Sequence, residues 1–250
     1  MPADEHYLYG LHAVLSALRR NAGSIQTIWA EQRRRDQRLR QLLDEAERQQ
    51  VRVEWAERDT LDRLSQGARH QGVVAQYAGS TAPSWDERDL PALLAEVDGP
   101  PLLLVLDGVQ DPHNLGACLR SADAAGVHAV IAPADRAVGL TPAVRKVACG
   151  AAEVVPFIQV TNLARTLRQL QELGLWMIGA AGEAEQSLYQ TDLSGPLAIV
   201  VGAEEKGLRR LTRETCDGLA HIPMLGSVES LNVSVATGIF LFEALRQRRR

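Results

Sequence analysis

Polar side chains in three separate segments lie where apolar runs end, which is where an α/β protein places its chemistry. The first segment, residues 107–126, carries Asn114 and Arg120. A guanidinium here could bind a phosphate or a developing alkoxide, and Asn114 is well placed as a helix cap. Arg120 lies six positions after Asn114, about 120° around a helix, so the two side chains need not share a face. The alternative is a capped helix whose arginine makes a surface ion pair.

The second segment, LAIVVGAEEKGL at residues 197–208, joins an apolar run to acidic side chains. Gly202 ends the run and would permit close approach of a flat ligand. Glu204 then falls at the expected carboxyl end of a strand, where open α/β sheets bind ligands. The alternative is a strand-to-helix turn with solvated acids.

The third segment, residues 221–245, places polar groups at the start of a long apolar helix. Ser230 is the expected cap, and Asn232 falls in the first turns, where such residues are poor helix formers. Free N–H groups there could bind a carboxylate, and Ser230 or Asn232 could orient a hydroxyl. The rest of this helix is more simply explained as core or as a subunit interface.

Near-continuous apolar runs after Pro101 position these segments, and amphipathic patterns separate the runs. The runs are Leu102–Leu106, His128–Ala132, Val154–Ile158, Leu175–Ile178, Leu197–Val201 and Leu219–Ile222. The helical patterns are Leu115–Ala125, Pro142–Cys149, Leu163–Leu173, Leu208–Thr215 and Leu231–Arg248. This alternation predicts an α/β domain with an open parallel sheet covered on both faces and ligands at the carboxyl ends of its strands.

The N-terminal part alternates helix and strand in a smaller α/β pattern, with a first helix expected over Leu8–Leu18. We predict one domain over residues 1–78 and a second over residues 101–250. The Gly- and Pro-containing stretch 79–100 is predicted to be a linker with one helix over Leu90–Val97.

Composition excludes several classes of protein. With 46% hydrophobic and 23% charged residues, the chain is neither disordered nor collagen-like. GxGxxG, GxxxxGK[ST] and GxSxG are absent, which argues against a dehydrogenase, a P-loop enzyme and an α/β-hydrolase. The three cysteines form no CxxC pair, so no metal site and no disulfide framework is predicted. We expect a cytoplasmic protein without a membrane span.

Together the three segments resemble the three motifs of the SpoU/TrmH family of RNA ribose 2'-O-methyltransferases in the SPOUT class. The motifs here are the Asn114, Gly116 and Arg120 segment, GAEEKGL from Gly202, and IPMLGSVESLNVSVATG from Ile222. At the N-terminus, YGLHAVLSAL (residues 9–18) and HQGVVAQ (residues 70–76) look like the L30e-like RNA-binding domain of the branch that modifies 23S rRNA. The resemblance covers nearly the whole chain.

This resemblance implies a deep trefoil knot in the C-terminal domain, with S-adenosylmethionine bound in the knot. It also implies a homodimer whose active site is completed near the subunit interface. The reaction would be methyl transfer to a guanosine ribose in the peptidyl-transferase region of 23S rRNA. The alternatives are a 2'-O-methyltransferase acting on tRNA or on another rRNA site, and a catalytically silent RNA-binding protein.

Carried onto this sequence, the resemblance gives five catalytic and five cofactor-binding residues. The catalytic set is Asn114, Arg120, Glu204, Ser230 and Asn232. The cofactor-binding set is Gly182, Gly202, Ile222, Met224 and Leu231. Since a guanidinium is not deprotonated in proteins, Arg120 is not a simple base; Asn114 and Glu204 are expected to hold it against a phosphate or alkoxide. The chain departs from the family at Glu205, where a glycine is common.

The net charge of −4 argues against RNA binding only when it is averaged over the chain. Residues 1–78 carry +1 and residues 79–250 carry −5. Five arginines fall within eight positions of the first part: Arg33, Arg34, Arg35, Arg38 and Arg40. This cluster is predicted to contact RNA phosphates, with a solvated helix face as the alternative.

Overall fold

The structure is a computed structural model that describes residues 6–32, 34, 36–65, 67, 70–77, 85–204 and 206–249. The chain divides into two compact units, Met1–Ser84 and Trp85–Arg250. The second unit begins upstream of residue 101, because Leu90 and Leu93 are buried in its core. The helix expected there is present as α4 (Leu90–Ala95).

The first unit is built on a four-stranded sheet of order β1-β4-β2-β3, in which β4 is antiparallel to both neighbours and β2 is parallel to β3. Its elements are β1 (His6–Tyr9), α1 (Leu11–Asn21), β2 (Ile25–Glu31), α2 (Gln37–Arg48), β3 (Arg52–Ala56), α3 (Arg58–Leu64) and β4 (Val73–Tyr77). The helix expected from Leu8 begins later, because Gly10, with a φ of 100°, separates β1 from α1. Helix α3 was not predicted.

The second unit contains a six-stranded, all-parallel sheet of order β10-β8-β9-β5-β6-β7. Its strands are β5 (Leu102–Asp107), β6 (Ala129–Pro133), β7 (Phe157–Val160), β8 (Trp176–Ala180), β9 (Leu197–Gly202) and β10 (Gly218–Ala220). Besides α4, its helices are α5 (Pro112–Ala125), α6 (Pro142–Ala148), α7 (Leu163–Glu172), α8 (Arg210–Thr215) and α9 (Val233–Arg248). All six predicted strands are present, with ends shifted by up to three residues.

Alternation along β5 explains why this sheet is covered on both faces. Leu104 and its even-numbered neighbours pack with α5 and α9, whereas Leu103 and Val105 pack with α4 and α7. The predicted parallel α/β sheet is therefore confirmed, and the trefoil knot stays a prediction. Among the described residues, no helix is long and apolar enough to cross a bilayer, and no three His, Cys, Asp or Glu side chains are grouped as metal ligands would be.

Close packing of α5 on α6 depends on Gly116. A Cβ atom at this position would lie 2.6 Å from Val147 Cβ and 2.9 Å from the Val144 carbonyl oxygen. Both neighbours belong to α6, so the two helices approach as closely as a residue without a side chain allows.

Replacing Gly116 with Ala should therefore destabilise the protein by about 1–3 kcal/mol, because one of the two helices must shift. Urea unfolding of Gly116→Ala measures this cost. Gly195→Ala is the matched control, since no atom lies within 4 Å of its added methyl group. Equal stability of the two variants would contradict the packing argument.

Candidate active site

The predicted site segments follow the carboxyl ends of four neighbouring strands, β10, β8, β9 and β5. Ile222 lies two residues after β10, Gly182 lies two residues after β8, and Gly202 is the last residue of β9. Asn114 lies in α5, the helix that follows β5. Because all these strands are parallel, their carboxyl ends meet at one edge of the sheet.

The side chain of Asn114 joins the three polar segments. Its Nδ2 donates a hydrogen bond of 2.8 Å to Glu204 Oε1, and its Oδ1 accepts one of 3.0 Å from Asn232 Nδ2. Asn114 is buried, whereas Glu204 and Asn232 are exposed. The loop after β9 and the start of α9 are thus tied to α5 by one amide group.

The residues that cap α5 and α9 differ from those predicted from the sequence. Asp111 caps α5, and its side chain accepts from the His113 N–H at 2.8 Å. Pro112 in the first turn favours this start, because its missing N–H needs no partner. The prediction that Asn114 is the cap is therefore wrong: Asn114 lies inside the first turn, and its amide is available to the neighbouring segments.

Asn232 rather than Ser230 caps α9, so that prediction is wrong as well. Asn232 Oδ1 accepts hydrogen bonds from Ser234 N at 2.9 Å and from Ser234 Oγ at 2.6 Å. Ser230 lies exposed in the loop before the helix. The Asn232 amide thus caps its own helix with Oδ1 and reaches Asn114 with Nδ2.

Glu204 lies in a tight loop that folds back over the end of β9. Ala203 and Gly207 exchange backbone hydrogen bonds of 3.1 and 2.9 Å. A Cβ atom at Gly202 would lie 2.0 Å from the Gly207 carbonyl carbon, so the loop backbone itself requires glycine there. Oε2 of Glu204 has no hydrogen-bond partner in the described part of the chain. Glu205 lies outside the described residues.

Arg120 is exposed and lies on a different stripe of α5 from Asn114. Its Nη1 contacts Cys149 Sγ at 3.7 Å, and among the described residues it bonds neither Asn114 nor Glu204. The expectation that those two side chains hold Arg120 is wrong for this structure, because the amide of Asn114 is already shared between Glu204 and Asn232.

The predicted cofactor residues surround the ends of β8, β9 and β10. A Cβ atom at Gly182 would meet no atom within 4 Å, so the backbone there is open to a ligand. Ile222, Met224 and Leu231 are each partly buried and offer apolar side chains. An open backbone beside apolar side chains fits a ligand with a flat aromatic ring and a small polar part.

Cys118 lies on α5 beside the polar network and is no nucleophile at neutral pH. Burial raises the pKa of its thiol to about 11, and the carboxylate of Glu204 contributes in the same direction. The thiol contacts Thr237 Oγ1 of α9 at 3.6 Å. Its role is to pack α5 against α9.

An ion pair between Asp107 and Arg209 was missed by the sequence analysis. The Asp107 side chain is fully buried at the end of β5, and it accepts the Arg209 backbone N–H at 2.8 Å as well as the Arg209 guanidinium. This pair joins β5 to the start of α8, just after the Glu204 loop. The sequence did contain a signal for this buried carboxylate, because Asp107 directly follows the fully apolar run Leu102–Leu106.

Helix α9 has one buried and one exposed apolar face. Val233, Phe240 and Leu241 are in the core, whereas Val235 and Phe242 are about half exposed. Leu225 in the preceding loop is fully exposed. The buried face of α9 is therefore core, and its exposed apolar face is the one that a subunit interface could use.

The arginines of the cluster in the first unit differ in their contacts and in their exposure. Arg34 donates to the Gln71 carbonyl oxygen at 2.5 Å and pairs with Asp36, so it joins the loop before α2 to the turn before β4. Arg38 and Arg40 are exposed on α2. Arg33 and Arg35 lie outside the described residues.

Two family models match the chain. Residues 101–242 match the SpoU rRNA Methylase family. Residues 7–83 match a family described as RNA 2'-O ribose methyltransferase substrate binding.

Full-length relatives agree with these matches. The chain is 61% identical over 242 residues to the 23S rRNA (guanosine-2'-O-)-methyltransferase RlmB of Ralstonia nicotianae, covering 96% of this chain and 95% of the relative. It is 59% identical over 241 residues to the protein of the same name from Pseudomonas syringae pv. tomato, with coverage of 96% and 95%. A solved structure, the SpoU methyltransferase AviRb from Streptomyces viridochromogenes in complex with the cofactor AdoMet, shares the fold at 24% identity. Its TM-score is 0.72, and the match covers 98% of this chain and 91% of that one.

Replacing Arg209 with Ala should destabilise the second unit by about 2–4 kcal/mol, because a fully buried carboxylate loses its cation. Adding Asp107→Asn to that variant should restore part of the loss, since the buried charge is then removed. Chemical unfolding of the two single variants and the double variant measures the coupling.

Additive effects of the two substitutions would contradict the pairing. Arg210→Ala is the matched control, because its partner Glu214 is exposed and the pair lies at the surface. Its effect should stay within about 0.5 kcal/mol.

Proposed function

The chain belongs to the SpoU rRNA methylase family, and from this premise we propose that it transfers a methyl group to the ribose 2'-hydroxyl of a guanosine in 23S rRNA. The full-length relatives that carry this activity in their names support the guanosine and the 23S rRNA. We place the target in the peptidyl-transferase region. Since ribosomal RNA is the substrate, we expect the protein in the cytoplasm.

The observation that carries this proposal is the hydrogen-bonded connection of Glu204, Asn114 and Asn232. Each residue comes from a different motif, and the two hydrogen-bonded pairs are 90 and 118 residues apart along the chain. A protein that had kept the fold but lost the reaction would have no need for a buried amide whose two ends reach two exposed polar groups. The catalytically silent alternative does not explain this arrangement.

S-adenosylmethionine fits the residues at the ends of β8, β9 and β10. Gly182 and Gly202 would offer backbone groups, and Ile222, Met224 and Leu231 would line an apolar slot for the adenine. When bound, this cosubstrate supplies an electrophilic methyl group on a sulfonium. No phosphate has to be cradled, which agrees with the absence of a glycine-rich phosphate loop.

The chain's own groups then have to place the ribose and lower the cost of removing a poorly acidic proton. The guanidinium of Arg120 is exposed, so it can bind the neighbouring phosphate or the developing 2'-alkoxide. Glu204 Oε2 and Ser230 are exposed groups that can orient the ribose hydroxyls. Asn114 is buried, and its amide holds Glu204 and Asn232 in fixed positions relative to each other.

Two further parts of the proposal concern partners. The first unit would bind the RNA substrate through a surface that includes Arg38 and Arg40. A homodimer would cover the apolar face of α9 with Val235 and Phe242, because such side chains are seldom left exposed together on a monomer.

Arg120→Ala should lower methyl transfer by about a hundredfold or more, because the charge opposite the developing alkoxide is lost. Tritiated methyl transfer into unmethylated 23S rRNA measures turnover, and calorimetry with S-adenosylmethionine measures cofactor affinity, which should not change. Arg168→Ala is the control, since Arg168 is exposed on α7, against the other face of the sheet.

Each outcome of this assay decides something. Near-normal turnover by Arg120→Ala would remove Arg120 from the mechanism. Transfer by the wild type into tRNA instead of 23S rRNA would change the substrate. Binding of S-adenosylmethionine without transfer to either RNA would favour the catalytically silent alternative.

Replacing Arg38 and Arg40 together with Ala should weaken RNA binding and flatten its salt dependence, since two phosphate contacts are lost. The slope of log K against log salt should fall by about 1.5–2. Arg58→Ala, on the exposed start of α3, is the control. An unchanged slope would assign Arg38 and Arg40 to a solvated helix face.

A further inference from the structure

Cys149 occupies a backbone position that disfavours a side chain. It ends α6 with φ 53° and ψ 38°, in the left-handed region, where helices usually place Gly or Asn. The next residue is Gly150, with a φ of 97°, so a glycine is available one position away but is not used at 149. A side chain retained at such a position is therefore a candidate for a role of its own, which the contacts of the side chain have to show.

The thiol of Cys149 contacts the guanidinium of Arg120. Arg120 Nη1 donates towards Sγ at 3.7 Å, and Sγ in turn donates to the Lys146 carbonyl oxygen at 3.8 Å. The thiol proton is thereby directed at the end of α6, which leaves the sulfur lone pairs facing the arginine. The carbonyl end of a helix also favours a nearby cation.

The packing of α6 on α5 fixes the position of the Cys149 thiol relative to α5. Gly116 and Arg120 are one helical turn apart and lie on the same stripe of α5. Gly116 allows Val147 to approach so closely that a Cβ atom would clash, and Cys149 follows two residues later. The position of the thiol relative to the α5 backbone is therefore set by helix packing rather than by a flexible loop.

An arginine side chain is long and loses considerable rotamer freedom when it is held in one place. Neither Asn114 nor Glu204 holds Arg120 in the described structure, and Cys149 Sγ is the side-chain contact that Arg120 makes there. We propose that Cys149 is a positioning residue that orients the Arg120 guanidinium for methyl transfer. This inference rests on the proposed function, in which Arg120 stabilises the reacting oxygen.

Cys149→Gly separates positioning from folding, because it removes the thiol and also relieves the left-handed backbone. We expect an unfolding midpoint equal to or above that of the wild type, while kcat falls about three- to tenfold, as for loss of one ordinary hydrogen bond. Affinity for S-adenosylmethionine should not change. Cys149→Ser, which keeps a donor and an acceptor at this position, should restore most of kcat.

Gln50→Gly is the matched control for the backbone effect. Gln50 also has a positive φ, 57°, and it lies in the exposed turn between α2 and β3 of the first unit. It should gain stability in the same way and keep the wild-type kcat.

A double-mutant cycle with Arg120→Lys tests whether Cys149 acts through Arg120. In the Arg120→Lys background, Cys149→Gly should cause no further loss of kcat, because a lysine ammonium has no guanidinium fork to be oriented. A general structural effect of the substitution would instead lower kcat by the same factor in both backgrounds.

Three results would overturn the positioning role: wild-type kcat in Cys149→Gly, a fall in kcat that follows a lower unfolding midpoint, or equal losses in the two backgrounds. An active wild type in these assays establishes the reaction independently. Absence of methyl transfer by the wild type would overturn the proposed function itself, and with it the role of Arg120.

Discussion

The hydrogen bonds of one buried amide hold the candidate active site together. Asn114 has a donor and an acceptor that must both be satisfied once water is excluded, and the structure satisfies them with two exposed residues of distant segments. Glu204 can reach it only because the loop after β9 turns back over Gly202. Asn232 can reach it only because that residue, and not Ser230, begins α9. The loop, the helix start and the strand ends are therefore arranged around α5.

Two stripes of side chains on helix α5 contact different neighbours. Asn114, Cys118 and Ser121 face α9 and the Glu204 loop, with Cys118 contacting Thr237 and Ser121 lying near Gly238. Gly116 and Arg120 face the C-terminal end of α6. The close contact of α5 with α6 therefore determines where the Arg120 guanidinium lies.

The two units use their charged side chains differently. The second unit buries Asp107 against Arg209 and holds Glu204 through Asn114, so these two acidic groups serve structure and orientation there. In the first unit, Arg34 is occupied by the Gln71 carbonyl oxygen and Asp36, whereas Arg38 and Arg40 remain exposed. Only the exposed arginines can exchange their counterions for RNA phosphates.

Apolar periodicity alone determined the parallel sheet of the second unit, because β5 and β9 must be apolar on both faces to be buried between two helical layers. The three motifs likewise identified Asn114, Glu204 and Asn232, since their residue types and order are visible in one dimension. Only the tertiary structure decided which atoms of these side chains bond each other. Helix capping depends on a choice between neighbouring candidates; Pro112 favours Asp111 over Asn114 as the cap of α5, whereas for α9 only the structure distinguishes Asn232 from Ser230. The partners of Asp107 and Arg120 are 102 and 29 residues away, and only the packing of strands and helices brings them into contact.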